Sequence, residues 1–136
     1  MVDPTTLAWI AGVFEGEGDV GVQRYYWDNG RKIEAKRPYP YIRITNTDIA
    51  ILEACKPAFI GRKIMLFKRP PNDAERQGIK TRKVCYSLRA DGKSATRTMR
   101  LLLPYLKGEK GIKVRQILGL EDAYQESLDL VMDVEG

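Results

Sequence analysis

The chain contains no histidine. Zinc sites built on imidazole, Ser–His triads and imidazole acid–base catalysis are therefore excluded. There are only two cysteines, Cys55 and Cys85. That is no disulfide framework, and it suits a reducing compartment. No apolar run approaches the roughly 20 residues of a membrane span. The N-terminus lacks a basic-then-apolar signal region. The expectation is an intracellular, soluble protein of the cytoplasm or an organelle, neither secreted nor in a membrane. Low-complexity tracts are also absent. The groups left for catalysis are carboxylates, lysines, hydroxyls and any hard metal ion that carboxylates can hold.

The 136 residues suit a single domain, 1–136, with one core. Net charge is +5, and its placement is uneven. Residues 19–90 hold sixteen Lys or Arg against seven Asp or Glu, whereas 121–136 hold six acids and no base. A basic middle with an acidic tail suggests a polyanion-binding surface. A solvated surface with a solubilising tail is the plainer alternative.

Apolar residues Leu7, Ile10, Val13 and Phe14 recur at helical spacing, with Asp3 or Thr5 as cap and Pro4 in the first turn. Residues 19–27 alternate as a strand, and Asp28-Asn29-Gly30 is a turn signal. The polar, basic stretch to about Pro38 reads as loop or frayed strand ends. Residues 39–46 form a second strand, with Ile42 and Ile44 on one face and Tyr41, Arg43 and Thr45 on the other. Thr47 or Asp48 caps a helix that Pro57 bends or ends. Residues 62–69 make a third strand of ambiguous facing, and a loop runs from Pro70 to about Lys80. Residues 81–89 make a fourth, with Val84, Tyr86 and Leu88 inward and Lys83, Cys85, Ser87 and Arg89 outward. A helix follows through Met99 and Leu102. Two more are expected, Ile112 to about Leu120 and an acidic one over about 121–136. The order predicts an α+β fold, αββαββα. A four-stranded antiparallel sheet carries helices on one face, with extra helices at the C-terminus. The other face mixes basic and aromatic residues suited to phosphates and base edges.

The stretch "AWIAGVFEGEGDVGVQ" breaks local rules. Ala8, Gly12 and Gly16 form a stripe of small residues on one helix, and each helical glycine costs about 1 kcal/mol against alanine. Two carboxylates then oppose the dipole at the helix end. Small residues allow close backbone approach, and no second such helix exists in the chain. A twofold homodimer along this helix is the simplest solution, and a tight intramolecular contact is the alternative. Paired copies of Glu17 would repel unless a divalent cation joined them. Oxygen ligands suit magnesium, which can activate water for phosphodiester hydrolysis. The literal GxGxxG at Gly16–Gly21 is not a dinucleotide motif, because a helix precedes it and a strand follows.

The run Ile10-Ala11-Gly12-Val13-Phe14-Glu15-Gly16-Glu17-Gly18 resembles the signature of the LAGLIDADG homing endonucleases, with Glu replacing both aspartates. "YIRITNTDIAILEA" and "LLPYLKGEKGIKVRQIL" resemble later segments of that family, so the resemblance covers nearly the whole chain. A single copy of the motif implies a homodimer that cuts a near-palindromic double-stranded DNA site with magnesium, or manganese in its place. The resemblance makes Glu17 and the Gly16 carbonyl metal ligands, and Glu15 a mainly structural acid. Asn46 would position water, and Lys110 would be the active-site lysine, with Lys107 the alternative. The expected dimer interface is Ala8, Ala11, Gly12, Glu15 and Gly16. Strand parity and the resemblance together place Asp19, Gly21, Gln23, Tyr25, Tyr41, Arg43, Lys83 and Cys85 against DNA. Arg62, Lys68 and Arg69 join them from the ambiguous strand. The second functional reading is a cleavage-inactive binder, either an intron-RNA maturase or a DNA-binding regulator.

Overall fold

In the computed structural model, residues 2–67, 73–78 and 83–135 are described. Helix α1 (Pro4–Glu17) opens on a proline, where no backbone donor is needed. Leu7, Ile10, Ala11 and Phe14 are its buried residues, at the i, i+3, i+4, i+7 spacing of a core-facing stripe. Ala8, Gly12 and Gly16 are exposed on the other side. Ala11 does not join them: it is fully buried, so its expected place in a dimer interface is corrected to the core of its own protomer. Its position one step along the helix from Ile10 turns it inward.

The helix runs directly into β1 (Gly18–Asp28). The Gly18 N–H donates to the Phe14 carbonyl. A Cβ on Gly18 would lie 2.0 Å from Phe14 Cδ1 and 2.6 Å from the Phe14 carbonyl oxygen. Glycine is therefore required here for space. Strand β1 pairs antiparallel with β2 (Arg31–Asn46). At their turn Asn29 has φ 48° and Gly30 φ 78°, the double left-handed conformation of a type I′ hairpin.

That turn explains why 31–38, expected as loop or frayed strand ends, is regular strand. It sets Asp28 opposite Arg31, and the ladder continues through Trp27–Lys32, Tyr26–Ile33 and Tyr25–Glu34. The register shifts between Gln23 and Tyr25, beside Pro38 and Pro40, which have no N–H to give the ladder.

The sheet order is β1-β2-β4-β3. Strand β4 (Tyr86–Asp91) is central, and β3 (Ile64–Leu66) pairs with it at the edge. Both are shorter than expected. Val84 precedes β4 and is exposed, and the inward residues of the strand are Leu88 and Ala90. The loop expected after Pro70 includes a short helix, α3 (Asp73–Arg76). Lys68 and Arg69 lie outside the described residues.

Helix α2 (Ile49–Cys55) is capped by Asp48, whose side chain accepts from the Ala50 N–H at 2.9 Å. Pro57 sits in a 3-10 turn, Lys56–Ala58. Helix α4 (Lys93–Leu102) buries Ala95, Thr98, Met99 and Leu102, and Thr98 Oγ1 donates to the Ala58 carbonyl at 2.7 Å. After the 3-10 turn Leu103–Tyr105 comes α5 (Glu109–Glu135), one continuous helix where two were expected. No proline interrupts it, and its two glycines, Gly111 in the first turn and Gly119 in the interior, cost at most about 1 kcal/mol each. Arg37 holds Glu121 at 2.6 Å and Arg100 holds Asp122 at 2.7 Å, tying down the stretch where a break was expected.

Helices cover one face of the sheet. Val20, Ile42, Ile44, Leu88 and Ala90 meet Ile10, Phe14, Leu52, Met99 and Leu102 in one buried cluster. The α+β architecture is as the sequence predicts.

The end of α1 is clamped to the start of α5. The Glu15 carboxylate accepts from the backbone N–H groups of Lys107 and Gly108. In return Lys110 Nζ donates to the carbonyls of Glu15 at 2.8 Å and Phe14 at 3.1 Å. The ammonium thus gives a donor to the Glu15 carbonyl at the helix terminus and a second donor to the Phe14 carbonyl, which already takes the Gly18 N–H. The Lys107 and Gly108 N–H bonds hold the Glu15 carboxyl below its ordinary range, with the charges of Lys107 and Lys110 adding a smaller effect.

Two predictions follow from these contacts. Gly18→Ala should lower stability by about 1–3 kcal/mol through overpacking. Gly12→Ala, whose Cβ would meet nothing within 4 Å, should leave protomer stability unchanged or raise it by up to about 1 kcal/mol. Urea unfolding of both variants checks this. For Glu15, a depressed folded pKa means stability that is present at neutral pH and lost as pH falls through that pKa. The gap in Tm between wild type and Glu15→Gln should therefore be widest at neutral pH and close below the ordinary glutamate range. A gap independent of pH would refute the charged clamp.

Candidate nucleic-acid interface and acidic centre

The last residue of α1 carries Glu17 out of the core and into solvent. Asn46, the last residue of β2, donates from Nδ2 to Glu17 Oε2. Its own Oδ1 accepts from the Asp48 N–H at 2.8 Å. The amide is therefore held from behind, and its NH2 group is turned toward the carboxylate. Sequence reasoning expected these two side chains in one site, and the fold brings them together through the α1–β1 junction and the β1–β2 pairing. Gly16 is open, with nothing within 4 Å of where a Cβ would stand.

Lys110 comes to the same helix end, but its described bonds go to the Phe14 and Glu15 carbonyls, not to Glu17. Lys107 is exposed and contributes its backbone N–H to Glu15. Glu15, expected in the dimer interface, spends its carboxylate on this clamp within its own protomer. Below the centre, burial and then the Glu17 charge push the Cys55 thiol up to about 11, so it stays protonated and unreactive.

Among the described residues no three Asp, Glu, Cys or His side chains gather into a metal-sized cluster. One protomer offers a carboxylate and an open glycine backbone beside it. That is a hard-oxygen set. It fits magnesium, which commonly takes one or two carboxylates and completes its shell with water and phosphate.

The sheet face away from the helices is polar and ordered in rows. Asp19, Arg43 and Arg89 stand opposite one another across β1, β2 and β4, and Gly21, Tyr41 and Asp91 form the next row. Asp19 Oδ2 accepts from Arg43 Nη2 at 2.9 Å and from the Tyr41 hydroxyl at 3.1 Å. The Arg43 guanidinium lies 4.9 Å from the Phe67 ring centre. Arg89 lies 4.4 Å from the Tyr41 ring, donates from Nε to Asp91 Oδ1 at 3.0 Å and holds Nη2 in ion-pair contact with the same oxygen at 2.9 Å. Burial first, and then Asp19, raises the Tyr41 hydroxyl above its ordinary range. A Cβ at Gly21 would come within 3.0 Å of the Tyr41 ring, so glycine there makes room for the tyrosine.

Farther out, Gln23 donates to the Tyr25 carbonyl at 2.7 Å, and Lys32 Nζ sits 4.4 Å over the Tyr25 ring. On the other flank Lys83 is exposed and Cys85 half-buried, its carbonyl accepting from the Phe67 N–H at 2.8 Å. Arg62 lies before β3 and donates to the Arg89 carbonyl at 2.9 Å. Sequence reasoning missed Asp91 and Phe67, did not single out Arg89, and missed the exposed ribbon residues Tyr26, Trp27 and Lys32. Alternation with Leu88 and Ala90 was the signal for Arg89 and Asp91. The signal for the ribbon was the Asn-Gly turn.

No family model and no curated protein matches the chain. Solved structures do. The homing endonuclease I-CvuI, in complex with the I-CreI target in the presence of magnesium and with its DNA not cleaved, aligns at 17% identity and TM-score 0.56 over 85% of this chain. The group I intron-encoded homing endonuclease I-CeuI, complexed with DNA, aligns at 14% identity and TM-score 0.61 over 93% of it. I-TnaI, also a homing endonuclease, aligns at 18% identity and TM-score 0.53 over 89%. The matches span 64% of the I-CvuI chain, 58% of I-CeuI and 74% of I-TnaI. The helix-terminal acid, the paired strands and the polar sheet face thus lie in an architecture that these enzymes share: the chain has the LAGLIDADG homing endonuclease fold.

Proposed function

We propose that residues 1–136 form one sequence-specific, magnesium-dependent DNA endonuclease domain that acts as a homodimer on a near-palindromic duplex. The observation that carries this reading is the Glu17–Asn46 pair, set at the exposed end of a helix whose outer stripe is Ala8, Gly12 and Gly16. The solved neighbours support it, since I-CvuI and I-CeuI were captured on DNA, and I-CvuI with magnesium or calcium present.

Two α1 helices meeting along the small-residue stripe bring the two acidic centres together. Trp9, 46% exposed, flanks that stripe. Each polar sheet face then follows one half-site. Glu17, with the Gly16 carbonyl, would hold the cation. Magnesium, when bound, supplies the charge that lowers the pKa of water and stabilises the leaving oxygen. Asn46 donates to Glu17 and orients water beside it. Lys110 fixes the helix end that bears Glu17 and adds positive charge near the scissile phosphate. Lys107 and Lys83 extend the basic surface. The broad excess of Lys and Arg over residues 19–90 supplies phosphate contacts that hold register without reading sequence.

Cleavage is tested on duplex DNA flanking the gene. Glu17→Gln should bind as wild type does in calcium, yet nick slower by on the order of 100-fold or more in magnesium. Undiminished cutting by that variant refutes the assignment. A wild type that binds duplex but never nicks it would point instead to a regulator, and preference for intron RNA to a maturase. Assembly is tested separately. Wild type should sediment as a dimer, and Gly12→Leu as a folded monomer with cleavage lost. A monomeric wild type that still cuts both strands would overturn the homodimer.

A further inference from the structure

The centre of the polar sheet face holds a charge pattern that phosphate binding alone does not explain. Two carboxylates, Asp19 and Asp91, sit among arginines on the face proposed to meet a polyanion. With Arg43 and Arg89 they sum to zero, so this patch adds nothing to long-range attraction. A carboxylate turned toward phosphates is repulsive, and its cost needs a compensating role.

The geometry supplies that role for Asp91. Its Oδ1 accepts from Arg89 Nε at 3.0 Å and lies 2.9 Å from Nη2 of the same guanidinium. The Tyr41 ring lies 4.4 Å from the same guanidinium. Register places Tyr41 directly opposite Asp91, so ring and carboxylate stand side by side on neighbouring strands. One edge of the guanidinium is bonded and its face is stacked. Only the remaining edge is left for a ligand. Both side chains still reach solvent, at 29% for Arg89 and 37% for Asp91.

We propose, building on the endonuclease reading, that Arg89 is a specificity-determining residue that reads a guanine edge in each half-site, and that Asp91 is its positioning residue. A guanidinium fixed in plane matches the paired O6 and N7 acceptors of guanine in the major groove. A free arginine would equally take any phosphate. Asp91 prevents this by holding one edge of the fork and by repelling phosphate oxygens. Arg43 and Asp19 form a similar pair one strand away, but Arg43 is further fixed on Phe67 and belongs more to the sheet than to its surface.

The test is selection of random-sequence duplexes in calcium, with parallel affinity measurements on one unselected duplex. Wild type should enrich a near-palindromic site with a fixed guanine at one symmetric pair of positions. Asp91→Asn keeps the shape and removes the charge. It should lose about tenfold discrimination at those positions while binding the unselected duplex several-fold more tightly. Arg89→Ala should lose the same guanine preference without gaining unselected binding. A merely structural role for Asp91 would weaken binding to both DNAs and could not tighten one. If Asp91→Asn selects the wild-type site with unchanged unselected affinity, this proposal fails while the endonuclease reading stands. If wild type enriches no duplex at all, both fail.

Discussion

The junction between α1 and β1 is the constraint from which the rest of the site follows. Phe14 is buried under the turn, and Gly18 leaves out the one carbon that would strike it. Glu15 and Lys110 then exchange hydrogen bonds with the opposite backbone, carboxylate to the α5 side and ammonium to the α1 side. These contacts fix where the helix stops and where the strand begins. Glu17 lies between the two fixed points. Its backbone position is set by packing and by bonds that its neighbours make, and its own carboxylate takes only the Asn46 amide among the described contacts. Asn46 arrives from the other direction, along a strand registered against β1 by the same sheet.

A second division of labour runs through the sheet. Alternation sends Val20, Ile42, Ile44, Leu88 and Ala90 to the helices, and Asp19, Arg43, Tyr41, Arg89 and Asp91 to the opposite side. The buried half contributes stability through removal of apolar surface from water. The exposed half is a network of ion pairs and ring contacts whose net worth to folding is small, as is usual for solvent-reaching pairs. Its value lies in holding long side chains in defined orientations. The acidic second half of α5 is tied by Glu121 and Asp122 to Arg37 and Arg100, so those two arginines have partners within the fold.

Much of this was legible in the residues. The stripe of Leu7, Ile10 and Phe14, the alternation around Ile42 and Ile44, the Asp48 cap and the αββαββα order all follow from local periodicity. The placing of Asn46 beside Glu17 came from the family resemblance, not from periodicity. Other features depended on tertiary facts that periodicity does not carry. Ala11 belongs to the core because the helix is rotated to bury the full arc from Leu7 to Phe14, and a small residue on that arc looks the same as one on the open side. Over 31–38 the polar side chains point to loop or frayed strand ends. The stretch is strand because the Asn29–Gly30 turn starts a ladder that needs no apolar face to continue. Helix α5 was divided in two at Gly119-Leu120-Glu121, where ion pairs to distant residues keep it whole. Lys110 was read for its ammonium, and its bonds to two carbonyls depend on where α5 starts in space.

From Arg24 through Lys32 every residue is exposed, yet the backbone is a regular paired ribbon closed by an Asn-Gly turn. Side chains there can be exchanged with little penalty to folding, since surface substitutions away from special features usually shift stability by within about 0.5 kcal/mol. Only the turn itself and the ladder hydrogen bonds need to be kept. The fold thus separates a packed chassis from an arm whose side chains folding does not constrain. Substitutions in the arm's aromatic and basic surface therefore leave the packing of the acidic centre, at the far end of the same strand, untouched.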